Sequence, residues 1–192
     1  MGVELELKYK ADEAALEAIN AAFPQTGITL QMETVYYDTP DGALSARHYT
    51  LRRRLENGKS ICTLKTPARQ GRNEWETECA DIRDAIPVLC KLGSPEELPA
   101  LVQAGLIPTC GARFTRIAKT VIFSDAVIEL ALDRGVLTGG DKVLPFCEVE
   151  AELKSGSEAS LMVFAQTLAQ RFSLTPEPKS KFRRSLDLSK GE

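Results

Sequence analysis

Histidine and tryptophan are nearly absent from this 192-residue chain: His48 and Trp75 each stand alone. One histidine leaves no partner set for a His-based zinc centre, and His48 has no triad pattern around it, so it reads as a loop residue. Trp75 alone offers little for an aromatic platform. The five cysteines are odd in number and contain no CxxC pair; this is the pattern of reduced thiols in a cytoplasmic protein. No apolar run approaches the roughly 18 residues that a membrane-crossing helix needs. The N-terminus is charged from Glu4 onward, without the apolar stretch of a signal peptide. Net charge is only -3, which gives no global attraction to nucleic acid or to an acidic membrane. There is no internal repeat and no low-complexity tract. These absences point to a cytoplasmic protein; the length suits one domain over residues 1–192, and a monomer or homodimer is expected.

What is present is mostly strand. Residues 3–10 alternate apolar and charged side chains, as a half-buried strand does. Asp12 is placed to cap a short helix, residues 13–22, that stops before Pro24. Residues 29–39 are rich in β-formers and end at a Pro40-Asp41-Gly42 turn. Residues 49–56 and 60–66 form a hairpin about Asn57-Gly58, and residues 72–80 follow as another strand. Residues 82–105, broken by Pro87, Pro95 and Pro99, read as an insertion of two or three short helices. Strands resume over 113–124, 127–137 and 145–153. Ser157 caps a helix to about Phe172, and residues 180–188 form a last helical turn. The fold class is therefore mainly β (α+β), with about eight antiparallel strands, enough to close a barrel with flanking helices.

Strand parity sorts the charges. Residues i and i+2 share a face, so Glu4, Glu6 and Lys8 lie opposite Val3, Leu5, Leu7 and Tyr9. Arg52 and Arg54 share one face; so do Arg72, Glu74, Glu76 and Glu78; so do Glu129 and Asp133; so do Glu148, Glu150 and Glu152. Each charged face taken singly is what a solvated sheet surface would show. The apolar faces need cover, however, and the helices can supply it from outside, turning the charged faces inward. Acids and bases sorted by strand around one lumen suit a polyphosphate with divalent metal. Arg and Lys neutralise phosphate oxygens, and carboxylates hold Mg²⁺ or Mn²⁺ that bridges to them.

The N-terminal Glu4-Leu5-Glu6-Leu7-Lys8 resembles the ExExK signature of the CYTH superfamily, named for class IV adenylyl cyclases and thiamine triphosphatases. The resemblance continues in order: Tyr36-Tyr37-Asp38-Thr39-Pro40, Leu51-Arg52-Arg53-Arg54, Thr63-Leu64-Lys65, Arg72-Asn73-Glu74-Trp75-Glu76, Arg116, Leu132-Asp133-Arg134-Gly135, Glu148-Val149-Glu150, and Ser180-Lys181 with Arg184. It implies an eight-stranded antiparallel β-barrel, the triphosphate tunnel. It implies metal ligands among Glu4, Glu6, Glu74, Glu76, Asp133, Glu148 and Glu150, and phosphate-binding cations at Lys8, Arg52, Arg54, Lys65, Arg116 and Lys181. Glu4, Glu6 and Lys8 would be at the centre of catalysis. Tyr36 is a candidate to assist a general base, though a core or rim tyrosine reads as well. Asp38 reads as a turn residue rather than a ligand, and Lys119 as an exposed lysine.

The activity implied is metal-dependent hydrolysis of inorganic triphosphate (tripolyphosphate), the spacing most resembling bacterial inorganic triphosphatases. The alternatives are a thiamine triphosphatase, a class IV adenylyl cyclase, or a non-catalytic binder of polyphosphate or nucleotides. The partner is thus tripolyphosphate or an organic triphosphate, with no nucleic acid and no membrane.

Overall fold

The computed structural model describes residues 2–69 and 71–191, and side chains from Leu5 onward within them. Ten antiparallel strands make one sheet. They are β1 (Gly2–Glu4), β2 (Glu6–Lys10), β3 (Ile28–Asp38), β4 (Thr50–Glu56), β5 (Lys59–Pro67), β6 (Arg72–Glu78), β7 (Ile107–Phe123), β8 (Ala126–Gly139), β9 (Lys142–Ser155) and β10 (Thr175–Pro176). Their order is β1-β6-β5-β4-β3-β7-β8-β9-β2-β10. The helices are α1 (Glu13–Ala22), α2 (Ala43–Ala46), α3 (Ile82–Lys91), α4 (Leu98–Leu101), α5 (Glu158–Arg171) and α6 (Lys181–Lys190), with a 3-10 turn at Val102–Ala104.

The antiparallel, sheet-dominated tunnel architecture is as expected, but the count and the closure differ. The expected first strand is two strands that break at Leu5 and change partner there. β1 pairs with β6, while β2 pairs with β9 at the other side of the ladder. The hydrogen-bonded ladder is therefore open rather than a continuous ring, and the N-terminal segment itself links its two sides. A second difference is the length of β7, which begins at Ile107 although Pro108 argues against a strand. A register shift at Tyr36/Tyr37 leaves Thr109 as the extra residue between Cys110 and Pro108. This bulge absorbs the proline, and the Thr109 hydroxyl donates to the Tyr36 carbonyl at 3.2 Å.

Helices cover the outer apolar faces. α1 and α5 bring Leu16, Ile19, Leu161, Phe164 and Leu168 onto Tyr9, Ile128, Leu130, Leu132, Val149 and Ala151. α3 and α4 bring Ile82, Ala85, Ile86, Leu89 and Leu98 onto Leu51, Cys62, Leu64 and Trp75. Each such fully buried Leu or Ile contributes roughly 1.5–3 kcal/mol. With the outer faces sealed, the opposite parity turns inward.

Lys119 corrects an expectation. It is only 5% exposed, lying between Ile117 and Val121 on the face that α1 covers. Its ammonium donates to the carbonyl oxygens of Asn20, at 2.9 Å, and Phe23. A buried cation at a helix C-terminus satisfies carbonyls that have no partner within the helix. Lys119→Met keeps the stem and removes the charge, and is expected to lower the unfolding free energy by about 1–3 kcal/mol. Urea denaturation measures this; an unchanged midpoint would refute the capping role.

α6 docks by backbone contact. A Cβ on Gly139 would lie 2.3 Å from the Ser185 carbonyl oxygen and 2.6 Å from the Ser189 nitrogen, so only glycine allows this approach. The Ser185 hydroxyl, fully buried, donates to the Gly111 carbonyl at 2.9 Å. Gly139→Ala is expected to destabilise by about 1–3 kcal/mol through overpacking, read in the same denaturation assay.

Candidate functional site

Cross-strand register assembles the inner wall. Lys8 lies opposite Glu150 and Glu6 opposite Glu152; Asp133 lies opposite Glu148 and Arg116 opposite Asp133. The facing wall comes from β3–β6, where Arg52 opposes Tyr36 and Lys65 opposes Glu74. Between them is a cavity of about 160 Å³ lined by Glu6, Lys8, Tyr36, Arg52, Arg54, Lys65, Arg72, Arg116, Glu150, Glu152 and, from the start of α6, Ser180, Lys181 and Phe182. Among the described residues neither histidine nor cysteine lines it. His48 is exposed in the α2–β4 loop.

α6 begins where it does because Ser180 caps it, its hydroxyl accepting from the Arg183 backbone N–H at 3.1 Å. This aims Lys181, and Arg184 one turn later, at three buried carboxylates. The Lys181 ammonium contacts Glu148, Glu150 at 2.7 Å and Asp133 at 2.7 Å. Arg184 holds the other oxygen of Glu148. Arg116 forks onto Asp133 through Nε at 2.8 Å and through a terminal nitrogen at 2.7 Å, and reaches Glu150 as well.

Burial pushes the Glu148 carboxyl up to about 7 against the pull of Lys181. Desolvation acts the same way on Glu150 but is outweighed by Arg116 and Lys181, which hold it well below the usual carboxylate range. Desolvation would lower Lys181, yet Asp133, Glu150 and Glu148 together hold it above the ordinary lysine value. Across the cavity the balance reverses. Burial and then the neighbouring Arg52 charge push Arg54 down to about 10, with Arg116 acting in the same direction. On that wall Arg52 and Arg54 lie close enough to repel, with Glu74 and Glu56 as their ion-pair partners at 3.7 Å, and an incoming anion would relieve the repulsion between the two arginines.

The three carboxylates each offer an oxygen, all within 4.8 Å of one another. Hard oxygen donors at this spacing fit a divalent Mg²⁺ or Mn²⁺. A metal would have to share or take the place now held by the Lys181 ammonium.

The expected site residues do not all meet there. Glu6, Lys8, Tyr36, Arg52, Arg54, Lys65, Arg116, Glu150 and Lys181 line the cavity, with Asp133 and Glu148 fully buried beside Glu150. Glu74 stands on the opposite wall, 3.3 Å from Lys65 and 3.7 Å from Arg52, away from the carboxylate triad. Glu76 is exposed on β6. The Glu4 side chain lies outside the described residues. Tyr36 is buried at the rim with its ring 5.0 Å from that of Phe182. Asp38 accepts from the backbone N–H groups of Thr39, Leu44 and Ser45 at 2.7, 2.9 and 3.1 Å, which is a turn and helix-capping role. Trp75 faces outward into the core under α3. Arg72, Arg184 and Glu152 join the site without having been assigned a role from the sequence. Shared parity with Glu74 and with Glu150 could have signalled Arg72 and Glu152, and a one-turn spacing from Lys181 could have signalled Arg184.

The model for the CYTH domain matches residues 2–186. This chain belongs to the CYTH family. It is 31% identical over 173 residues to an inorganic triphosphatase of Haemophilus influenzae, an alignment that covers 88% of this chain and 46% of that relative. The chain therefore spans less than half the length of that curated relative. Among solved structures, a Hippeastrum protein described as a candidate adenylyl cyclase that reveals a dominant triphosphatase activity superposes with a TM-score of 0.70 at 16% identity, covering 100% of this chain and 97% of that one. A Bacillus halodurans protein described as a candidate adenylate cyclase gives 0.64 at 18%, covering 95% and 96%. A Pyrococcus horikoshii protein gives 0.64 at 20%, covering 97% and 99%. At these identities the structures establish the CYTH fold.

Proposed function

We propose that this CYTH chain hydrolyses inorganic triphosphate to diphosphate and phosphate with the help of Mg²⁺ or Mn²⁺. The observation that carries this is the two-sided cavity: cations crowd one wall, and a carboxylate triad of hard oxygen donors stands across from it. A pure anion binder gains nothing from three buried carboxylates, which cost desolvation. Similarity to the Haemophilus influenzae inorganic triphosphatase supports the substrate.

In this reading Lys8, Arg52, Arg54, Lys65 and Arg116 hold phosphate oxygens, and Lys181 neutralises charge where the chain is cut. Asp133, Glu148 and Glu150, with Glu6 and Glu4 from the N-terminal segment, would hold the metal. A bound divalent ion supplies charge neutralisation and lowers the pKa of a coordinated water. The remaining catalysis is positioning and electrostatic stabilisation, which is most of what phosphoryl transfer demands. Tyr36 orients the rim beside Arg52.

The test is phosphate release from tripolyphosphate, thiamine triphosphate and ATP, with Mg²⁺, with Mn²⁺ and with chelator, and with chromatography of the ATP reaction for cyclic AMP. The expected result is fastest release from tripolyphosphate and none with chelator. Tight tripolyphosphate binding without release under either metal would make the protein a binder; cyclic AMP would make it a cyclase. Arg52→Ala should weaken tripolyphosphate affinity by tenfold or more (roughly 1.4 kcal/mol) while leaving metal affinity nearly unchanged; equal losses in calorimetry would refute the division between the two walls.

A further inference from the structure

The inner arginines are oriented through Nε by a residue on a neighbouring strand. Arg54 lies opposite Thr34, and its Nε–H donates to the Thr34 hydroxyl at 2.9 Å. Arg116 lies opposite Asp133, and its Nε–H donates to that carboxylate at 2.8 Å. Arg52 lies opposite Thr63 of β5, and here the bond is open. Arg52 Nε and Thr63 Oγ1 are both buried and neither has a hydrogen-bond partner. Thr63 is fully buried, and Glu76, which opposes it from β6, makes no hydrogen bond to it. A terminal nitrogen of the Arg52 guanidinium pairs with Glu74 at 3.7 Å, longer than a hydrogen bond.

Two orphaned groups on directly opposed residues are costly, because each has given up water without a replacement. Side chains at opposed positions have Cβ atoms about 5 Å apart, within reach of an arginine Nε and a threonine hydroxyl.

We infer that Thr63 is a positioning residue for Arg52. When an anion enters, the guanidinium leaves Glu74, its terminal nitrogens take phosphate oxygens, and its Nε–H closes on Thr63 Oγ1 as Arg54 is already closed on Thr34. Binding then satisfies two groups that the free protein leaves unsatisfied. The inference rests on the phosphate-binding role proposed for Arg52.

The experiment is calorimetric titration of tripolyphosphate, in chelator to remove the metal contribution, into the wild-type chain, Thr63→Val, Thr63→Ser, Arg52→Lys and Thr63→Val/Arg52→Lys. Thr63→Val removes only a hydroxyl that is unbonded in the free protein, so the thermal midpoint without ligand should stay level or rise. Tripolyphosphate affinity should fall about tenfold, the scale of one hydrogen bond to a charged group, and Thr63→Ser should restore it. Lysine has no Nε–H fork, so the double variant should bind no more weakly than Arg52→Lys alone. Wild-type affinity in Thr63→Val, or additive losses in the double variant, would overturn the positioning role while leaving the phosphate-binding function standing. If the wild-type chain binds tripolyphosphate only with Mg²⁺ present, the same series is read in Mg²⁺; a wild-type chain that binds under neither condition would overturn both.

Discussion

Lys181→Met should destabilise the fold by about 3–5 kcal/mol, because it leaves buried carboxylates without their central cation. For a chain of this size that corresponds to a fall in thermal midpoint of roughly 10 °C. Asp133, Glu148 and Glu150 all converge on the ammonium, and their oxygens form a metal-sized cluster once it is gone. Added Mg²⁺ or Mn²⁺ should therefore stabilise the variant, by about 2.7 kcal/mol at a metal concentration a hundred times its Kd, and more than it stabilises the wild type. Thermal unfolding with and without metal measures both effects. A variant that loses stability but gains nothing from metal would show that the triad is a salt-bridge core and not a cation site. Phosphate release should fall in the same variant whether or not metal restores its stability, since the cation proposed to neutralise the cut phosphate is missing.

Glu150→Gln should reduce metal-dependent phosphate release by more than a hundredfold while leaving the fold in place. Loss of residues that merely orient metal ligands costs roughly 10–100-fold, and Glu150 is proposed as a ligand itself. The fold should survive because Arg116 keeps its fork on Asp133 and Lys181 keeps Asp133 and Glu148. Steady-state release from tripolyphosphate checks the rate, and circular dichroism with urea denaturation checks the fold. Near-wild-type turnover would remove Glu150 from the metal site. Glu6→Gln should show the same loss of release with a smaller change in stability, because Glu6 is partly exposed whereas Glu150 is buried.

Local rules predicted much of this. α1 runs over Glu13–Ala22 with Asp12 as its cap, as the spacing indicates, and Ser157 caps α5. The segment 82–105 does hold short helices, but the prolines do not all divide them: α3 runs through Pro87, Pro99 lies in the first turn of α4, and only Pro95 falls between the two. Other elements were hidden for physical reasons. α6 is a full ten-residue helix rather than a turn, because its buried face is polar, made of Lys181, Ser185 and Asp187. The apolar stripe that normally reveals a docked helix is missing, since the cover it gives is electrostatic. Pro108 concealed the start of β7, where a bulge accommodates it. Lys119 reads as a surface residue in any sequence, because nothing local tells that the end of α1 will come down upon it.

By itself, the sequence determined which residues share a face. The alternation of Glu4, Glu6 and Lys8, of Arg52 and Arg54, and of Glu148 and Glu150 is set by the two-residue period of a strand, and the order of motifs marked the CYTH family. Only the tertiary structure decided which strands become neighbours. The partner change at Leu5 brings β2 beside β9 and β1 beside β6, so Lys8 meets Glu150 while Glu74 and Glu76 stay on another wall. The docking of α6 on Gly139 decided that three carboxylates share one lysine. Parity is a property of each strand and is written locally. Pairing and helix docking depend on contacts between residues far apart in the chain, and those are selected by how the whole sheet closes its cores.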